Sequence, residues 1–106
     1  MSLAKRVEDA TRRGMKRYHC DRPAPDSWVL AEQWRPGDIT QAAELRISMY
    51  TDLADVRRIL ASVVTQGRTV HLMPRDWLLL DPWSDDLFVC PDARFRALYR
   101  EVGPAA

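Results

Sequence analysis

Glycine is scarce in this chain, with four in 106 residues, and histidine and cysteine occur only twice each. Few glycines leave little material for a phosphate-cradling loop, and no Gly-rich phosphate motif is present. His19 and His71 lie in no nucleophile elbow and no His-Glu-x-x-His frame. His71 sits between Val70 and Leu72 in a strand-like run and reads as a polar strand residue. Asp85 and Asp86 are adjacent, so in extended chain their side chains point apart and do not share a proton. No assembled catalytic site is legible, and the expectation is a protein that is not an enzyme.

The cysteines and histidines also lack metal spacing. His19 and Cys20 are neighbours, while His71 and Cys90 stand alone. Zinc sites pair their ligands two to five residues apart because one turn then presents both. Neither a metal nor a cofactor is expected. Long apolar runs are absent too, and none approaches the roughly 20 residues of a membrane helix. The first seventeen residues lack the continuous apolar stretch of a secretory signal. A cytoplasmic protein with free thiols at Cys20 and Cys90, and no membrane partner, is therefore expected.

Lysine is the last scarcity, with Lys5 and Lys16 the only two among sixteen basic residues. The net charge is +1, but it is unevenly spread. Residues 1–17 hold Lys5, Arg6, Arg12, Arg13, Lys16 and Arg17 against Glu8 and Asp9, a net of +4, and the rest carries −3. Those six basic side chains are candidate phosphate contacts for nucleic acid. A solvated amphipathic segment reads the same way.

What is present is an ordinary globular composition, 46% hydrophobic and 29% charged, at the length of one domain. Residues 1–17 read as a basic N-terminal helix or arm, and 18–106 as a single globular domain. Pro23 and Pro25 mark residues 18–27 as a connector. Trp28–Trp34 alternates as a strand, and Arg35-Pro36-Gly37-Asp38 is a turn. Glu44–Tyr50 alternates again, with Leu45, Ile47 and Met49 on one face. Leu53, Val56, Ile59, Leu60, Val63 and Val64 form a helical stripe that Thr51 or Asp52 caps and Gly67 ends. Short strands follow at 69–73, 77–80 and 87–90, and Pro91-Asp92 opens a terminal helix carrying Phe95, Leu98, Tyr99 and Val102. Short connections imply antiparallel pairing. The expected fold is α+β: a small antiparallel sheet with one main helix, about 52–66, packed on a face, plus N- and C-terminal helices.

The order of these segments resembles a set of small, mostly uncharacterised bacteriophage accessory proteins. The matching residues are Tyr18, Pro23 and Ala31-Glu32-Gln33-Trp34, then Pro74-Arg75-Asp76-Trp77-Leu78-Leu79, then Phe88-Val89-Cys90-Pro91-Asp92-Ala93-Arg94-Phe95 with Tyr99. The resemblance covers about residues 18–102. Arg75 stands where that pattern has Gly, so a left-handed turn residue is not expected there. The segment 35–50 is longer than the family's. The resemblance implies a phage-encoded accessory protein and no particular activity. The arginine bias fits a GC-rich source.

One short contact motif remains. Ser84-Asp85-Asp86-Leu87-Phe88 is similar to the peptide with which proteins bind the bacterial DNA polymerase sliding clamp. That peptide works by seating a Leu-Phe pair in an apolar cleft. Asp86, Leu87 and Phe88 match, while Ser84 stands where a Gln is usual. Trp83 precedes the motif in a turn-rich loop. The same Leu87 and Phe88 open a strand, in which one of them faces the core. The leading expectation is a non-catalytic phage protein that binds a host bacterial protein and inhibits or redirects it. The sliding clamp is the candidate partner, and the binding residues are Trp83, Ser84, Asp85, Asp86, Leu87 and Phe88. Expression of such an inhibitor of DNA replication is toxic to the host. The alternatives are a nucleic-acid-binding accessory protein using the N-terminal segment, and a virion structural or assembly protein.

Overall fold

Ser2 begins the first helix by accepting the Lys5 amide on its hydroxyl at 3.2 Å. The computed structural model describes residues 2–20, 28–84 and 86–102. Helix α1, Leu3–Arg13, carries Lys5–Asp9 and Glu8–Arg12 pairs one turn apart and ends at Gly14 with φ 111°. Ala10 and Met15 are each 2% exposed and pack with Leu30. The N-terminal segment is thus docked helix rather than arm, and its last residues enter strand β1, Lys16–Cys20.

Strand β2, Trp28–Gln33, follows. Asp38 then caps helix α2, Ile39–Leu45, by accepting the Gln41 amide at 3.0 Å. The strand expected from Glu44 therefore starts only at Ser48. Arg46, at φ 57°, closes the helix in the left-handed region before strand β3, Ser48–Thr51.

The helix expected over 52–66 is not formed. Residues 52–58 are a loop, and strand β4 runs Ile59–Thr65. The apolar spacing fits a helix, but the chain buries Ala61 and Val63 and leaves the apolar Val64 between β-branched neighbours 69% exposed. The β-branched run Val63-Val64-Thr65 prefers extended chain. Gln66 and Gly67, at φ 51° and 74°, make the two-residue turn whose twist suits a hairpin. Gly67 thus joins β4 to strand β5, Arg68–Leu72, instead of ending a helix.

Strand β6 is Trp77–Leu80, β7 is Leu87–Cys90, helix α3 is Asp92–Leu98 and β8 is Tyr99–Glu101. The turn before β6 departs from expectation at Arg75, which takes φ 74° although it is not glycine. Pro74 presets the preceding residue. The Asp76 amide donates to the Met73 carbonyl at 3.1 Å, the Met73 amide donates to Asp76 Oδ2 at 2.8 Å, and Gln33 Nε2 donates to the Arg75 carbonyl at 3.0 Å.

The class is α+β with antiparallel pairing, but the described residues form two sheets. One has the order β7-β6-β2-β1-β8 and the other β3-β4-β5. The segment read as a covering helix supplies the middle strand of the second sheet. Ala61, Val63 and Leu72 of that sheet meet Leu78 of β6, with Trp34, Ala42 and Ile47 filling the space between.

Candidate functional site

The five-stranded sheet has a second face, away from the small sheet. Its register aligns Ala31, Leu79 and Phe88 in one row and Gln33, Trp77 and Cys90 in the next, with Tyr18 beside Val29. Helix α3 covers part of this face. Its Phe95 stacks on Trp77 at 4.0 Å between ring centroids and on Tyr99 at 5.0 Å, and meets the edge of Tyr18 at 4.9 Å. Trp77 Nε1 donates to Asp92 Oδ1 at 2.8 Å, which fixes the start of α3 over the sheet.

Seven residues of helix are too short to cover five strands. Among the described residues, the remainder of the face is a groove of about 730 Å³, lined mainly by Trp28, Val29, Leu79, Trp83, Phe88 and Leu98. Asp81 and Arg94 supply charge to its wall, and Cys20 and Cys90 lie on it as free thiols. The Cys90 thiol is pushed up by burial, against the opposing pull of the Arg94 guanidinium. The two cysteines lie on strands with β6 and β2 between them, well beyond disulfide reach.

The rim loop between β6 and β7 is held in shape. Asp81 accepts the Trp83 amide and the Ser84 hydroxyl, each at 3.0 Å. Arg6 Nη1, from α1, donates to the Pro82 and Trp83 carbonyls at 3.1 Å. The Trp83 ring meets the edge of Trp28 at 5.0 Å yet stays 52% exposed. Arg17 lies over the other aromatic of that pair, 4.0 Å from the Trp28 ring.

The proposed contact residues do not form one surface. Trp83 and Phe88 line the groove. Ser84 is engaged with Asp81, and its hydroxyl also accepts the Asp86 amide at 3.3 Å. Asp86 and Leu87 line a smaller recess of about 420 Å³ on the other face, and Leu87 packs against the core between the sheets. Its carbonyl accepts the Thr65 hydroxyl. Asp85 lies outside the described residues. Sequence reading missed Trp28, Leu79, Arg94 and Leu98, whose convergence depends on strand order. The helix expected to carry Tyr99 and Val102 ends instead at Leu98, and Tyr99–Glu101 is a strand paired with β1.

The basic N-terminal side chains all have partners within the chain. Lys5 pairs with Asp9 at 3.3 Å, Arg12 with Glu8 at 2.6 Å, and Lys16 with Glu101 at 3.6 Å. Arg13 lies 3.3 Å from Glu44 and donates to Met15 Sδ at 2.8 Å. Arg6 and Arg17 serve the rim loop and Trp28 as described. The neighbouring carboxylates offset much of the charge that phosphates would meet. Among the described residues, no three His, Cys, Asp or Glu side chains gather as a metal site, and no helix is long and apolar enough to cross a membrane.

The link between α3 and the sheet has a pH signature. The hydrogen bond from Trp77, then that from Arg96, hold the Asp92 carboxyl below its ordinary value. A depressed folded-state value stabilises above the ordinary carboxylate range and is lost as pH falls through the lowered value. Asp92→Asn keeps an acceptor for Trp77 and removes the titration. Urea unfolding across acid pH is expected to give a flatter stability profile for the variant, and parallel profiles would refute the assignment.

No protein-family model matches the chain, and no curated protein or solved structure matches it.

Proposed function

We propose that this chain is a non-catalytic, phage-encoded binding protein acting in the cytoplasm of an infected bacterium. It receives an apolar segment of a host protein in the aromatic groove and thereby inhibits or redirects that protein. The supporting observation is the half-covered sheet face, where a pre-ordered loop holds Trp83 out beside Phe88. Exposed aromatics on a rigid frame make strong contacts because little freedom is lost on binding.

The sliding clamp is the partner class named by Asp86-Leu87-Phe88. A peptide of that kind must offer both apolar side chains together, and half-buried Leu87 packs against the core on the face opposite Phe88. The placement favours the groove as receiver of a partner's side chains over this pentapeptide as guest.

The test is capture of host protein from a bacterial lysate, run alongside purified clamp. Trp83→Ala is expected to fold normally, since the ring is half exposed, and to weaken the captured complex by about 30-fold. Equal capture by wild type and variant would remove the groove from the account. Clamp binding abolished only by Leu87→Ala would return the pentapeptide to first place.

A further inference from the structure

The core-facing row of β4 runs out of the core. Val63 is 3% exposed and Ala61 5%, but Ile59 is 60% exposed. Beyond it the β3–β4 loop leaves Val56 77% and Leu53 100% exposed. The loop is nevertheless well tied. The Asp52 amide donates to the Arg58 carbonyl at 2.9 Å, and that of Arg58 to the Asp55 carbonyl at 2.9 Å. Asp52 and Asp55 side chains accept the Ala54 and Arg57 amides at 2.9 and 3.1 Å. These apolar side chains are held outward by structure.

The neighbouring edge is open as well. Among the described residues, strand β3 pairs only with β4. The Asp52–Arg58 bond sets the ladder's phase, so Tyr50 and Ser48 bond inward to β4, and the amides and carbonyls of Met49 and Thr51 face the open edge. Among the described residues, no main-chain bond outside the ladder reaches them. Ser48-Met49-Tyr50-Thr51 has no charge and no proline to discourage pairing, whereas the opposite edge, β5, carries Arg68 and His71.

We propose that β3 is a homodimer edge, pairing antiparallel with β3 of a second copy about a two-fold axis at Tyr50. This register pairs Met49 with the partner's Thr51, and Thr51 with the partner's Met49, which satisfies all the open backbone groups. The same register carries the loop alongside the partner's segment 46–48, bringing Leu53 next to that segment, whose own Ile47 stays in the core. It also sets Asp52 and Asp55 near the exposed, positively charged partner's Arg46. A surface that carries both Asp52 and Arg46 is complementary to itself, as an isologous contact requires. The net charge of +1 adds little repulsion between copies.

The test is sedimentation equilibrium of the full chain over a concentration series, with hydrogen exchange of backbone amides. A dimer is expected, with Met49 and Thr51 amide protection rising with concentration. Leu53→Asp alters a fully exposed side chain, and Thr51→Pro removes an outward donor that an edge strand can spare. Each is expected to give a folded monomer whose thermal unfolding matches that of the dilute, dissociated wild type. If the proline disturbs the β3–β4 ladder, Leu53→Asp still decides. A wild type that remains monomeric overturns the proposal, as does a dimer that Leu53→Asp leaves intact.

Discussion

Gln41→Leu is expected to lower the stability of this domain by about 3 kcal/mol. Gln41 is 1% exposed and satisfies three groups at once. Its Nε2 donates to Glu32 Oε1 and to the Gln33 carbonyl, each at 2.9 Å, and its Oε1 accepts the Arg35 amide at 2.8 Å. Leucine has similar bulk, so packing changes little, but a carboxylate, a carbonyl and an amide lose their partner. Glu32 is the most sensitive of these. It is 5% exposed, and its Oε2 has no hydrogen-bond partner. The Arg13 guanidinium lies 3.9 Å from its other oxygen, Oε1. A buried carboxylate that loses its main donor stays destabilising until it is removed too. The double variant Gln41→Leu/Glu32→Leu should therefore regain part of the loss. Urea denaturation at neutral pH measures both, and a single-variant loss below about 1 kcal/mol would show that water replaces the amide.

The second large effect is at Leu78, which has no exposed surface and stands where the two sheets meet. Leu78→Ala is expected to cost about 2–5 kcal/mol, because neighbours on both sides cannot collapse into the space. At roughly 4–8 °C per kcal/mol for a domain of this size, the shift in thermal midpoint is large. Leu53→Ala is the matching control. A helix over 52–66 would bury Leu53 on its apolar stripe, whereas the hairpin leaves it in solvent. At concentrations where the chain is monomeric, its expected effect is within about 0.5 kcal/mol. Equal losses at Leu53 and Leu78 would contradict the two-sheet arrangement.

Those two leucines mark what the amino-acid order reveals and what it hides. Trp77–Leu80 and Leu87–Cys90 were legible to the residue, because sharp turn chemistry brackets short apolar runs. The run from Leu53 to Val64 was ambiguous, since its apolar positions satisfy a helix while its β-branched residues and the Gln66-Gly67 turn select a hairpin. Strand β1 was hidden because Lys16-Arg17-Tyr18-His19-Cys20 is polar. Its partners are the Trp28 ring under Arg17 and the aromatic cluster around Tyr18, neither of which is local. Helix α2 was hidden because one of its buried residues is Gln41, whose hydrogen bonds take the place of an apolar stripe.

The same division runs through the candidate site. Trp83 and Phe88 stand out in sequence as aromatics around a turn. The separation of Phe88 from Leu87 follows from strand alternation, which sends neighbouring side chains to opposite faces. The groove itself combines β1, β2, β6, β7 and α3, so it exists only once the strand order is known.

The central claim is that a partner is received between α3 and the β6–β7 loop. The most direct measurement is an NMR map of the isotopically labelled chain as the captured host protein is added. The account predicts shifts or broadening of the Trp28 and Trp83 indole signals and of the Phe88, Arg94 and Leu98 amides, with Leu53 and Arg57 unchanged. Perturbation confined to residues 5–17, or to the Asp86–Leu87 recess with both indoles unmoved, would contradict it.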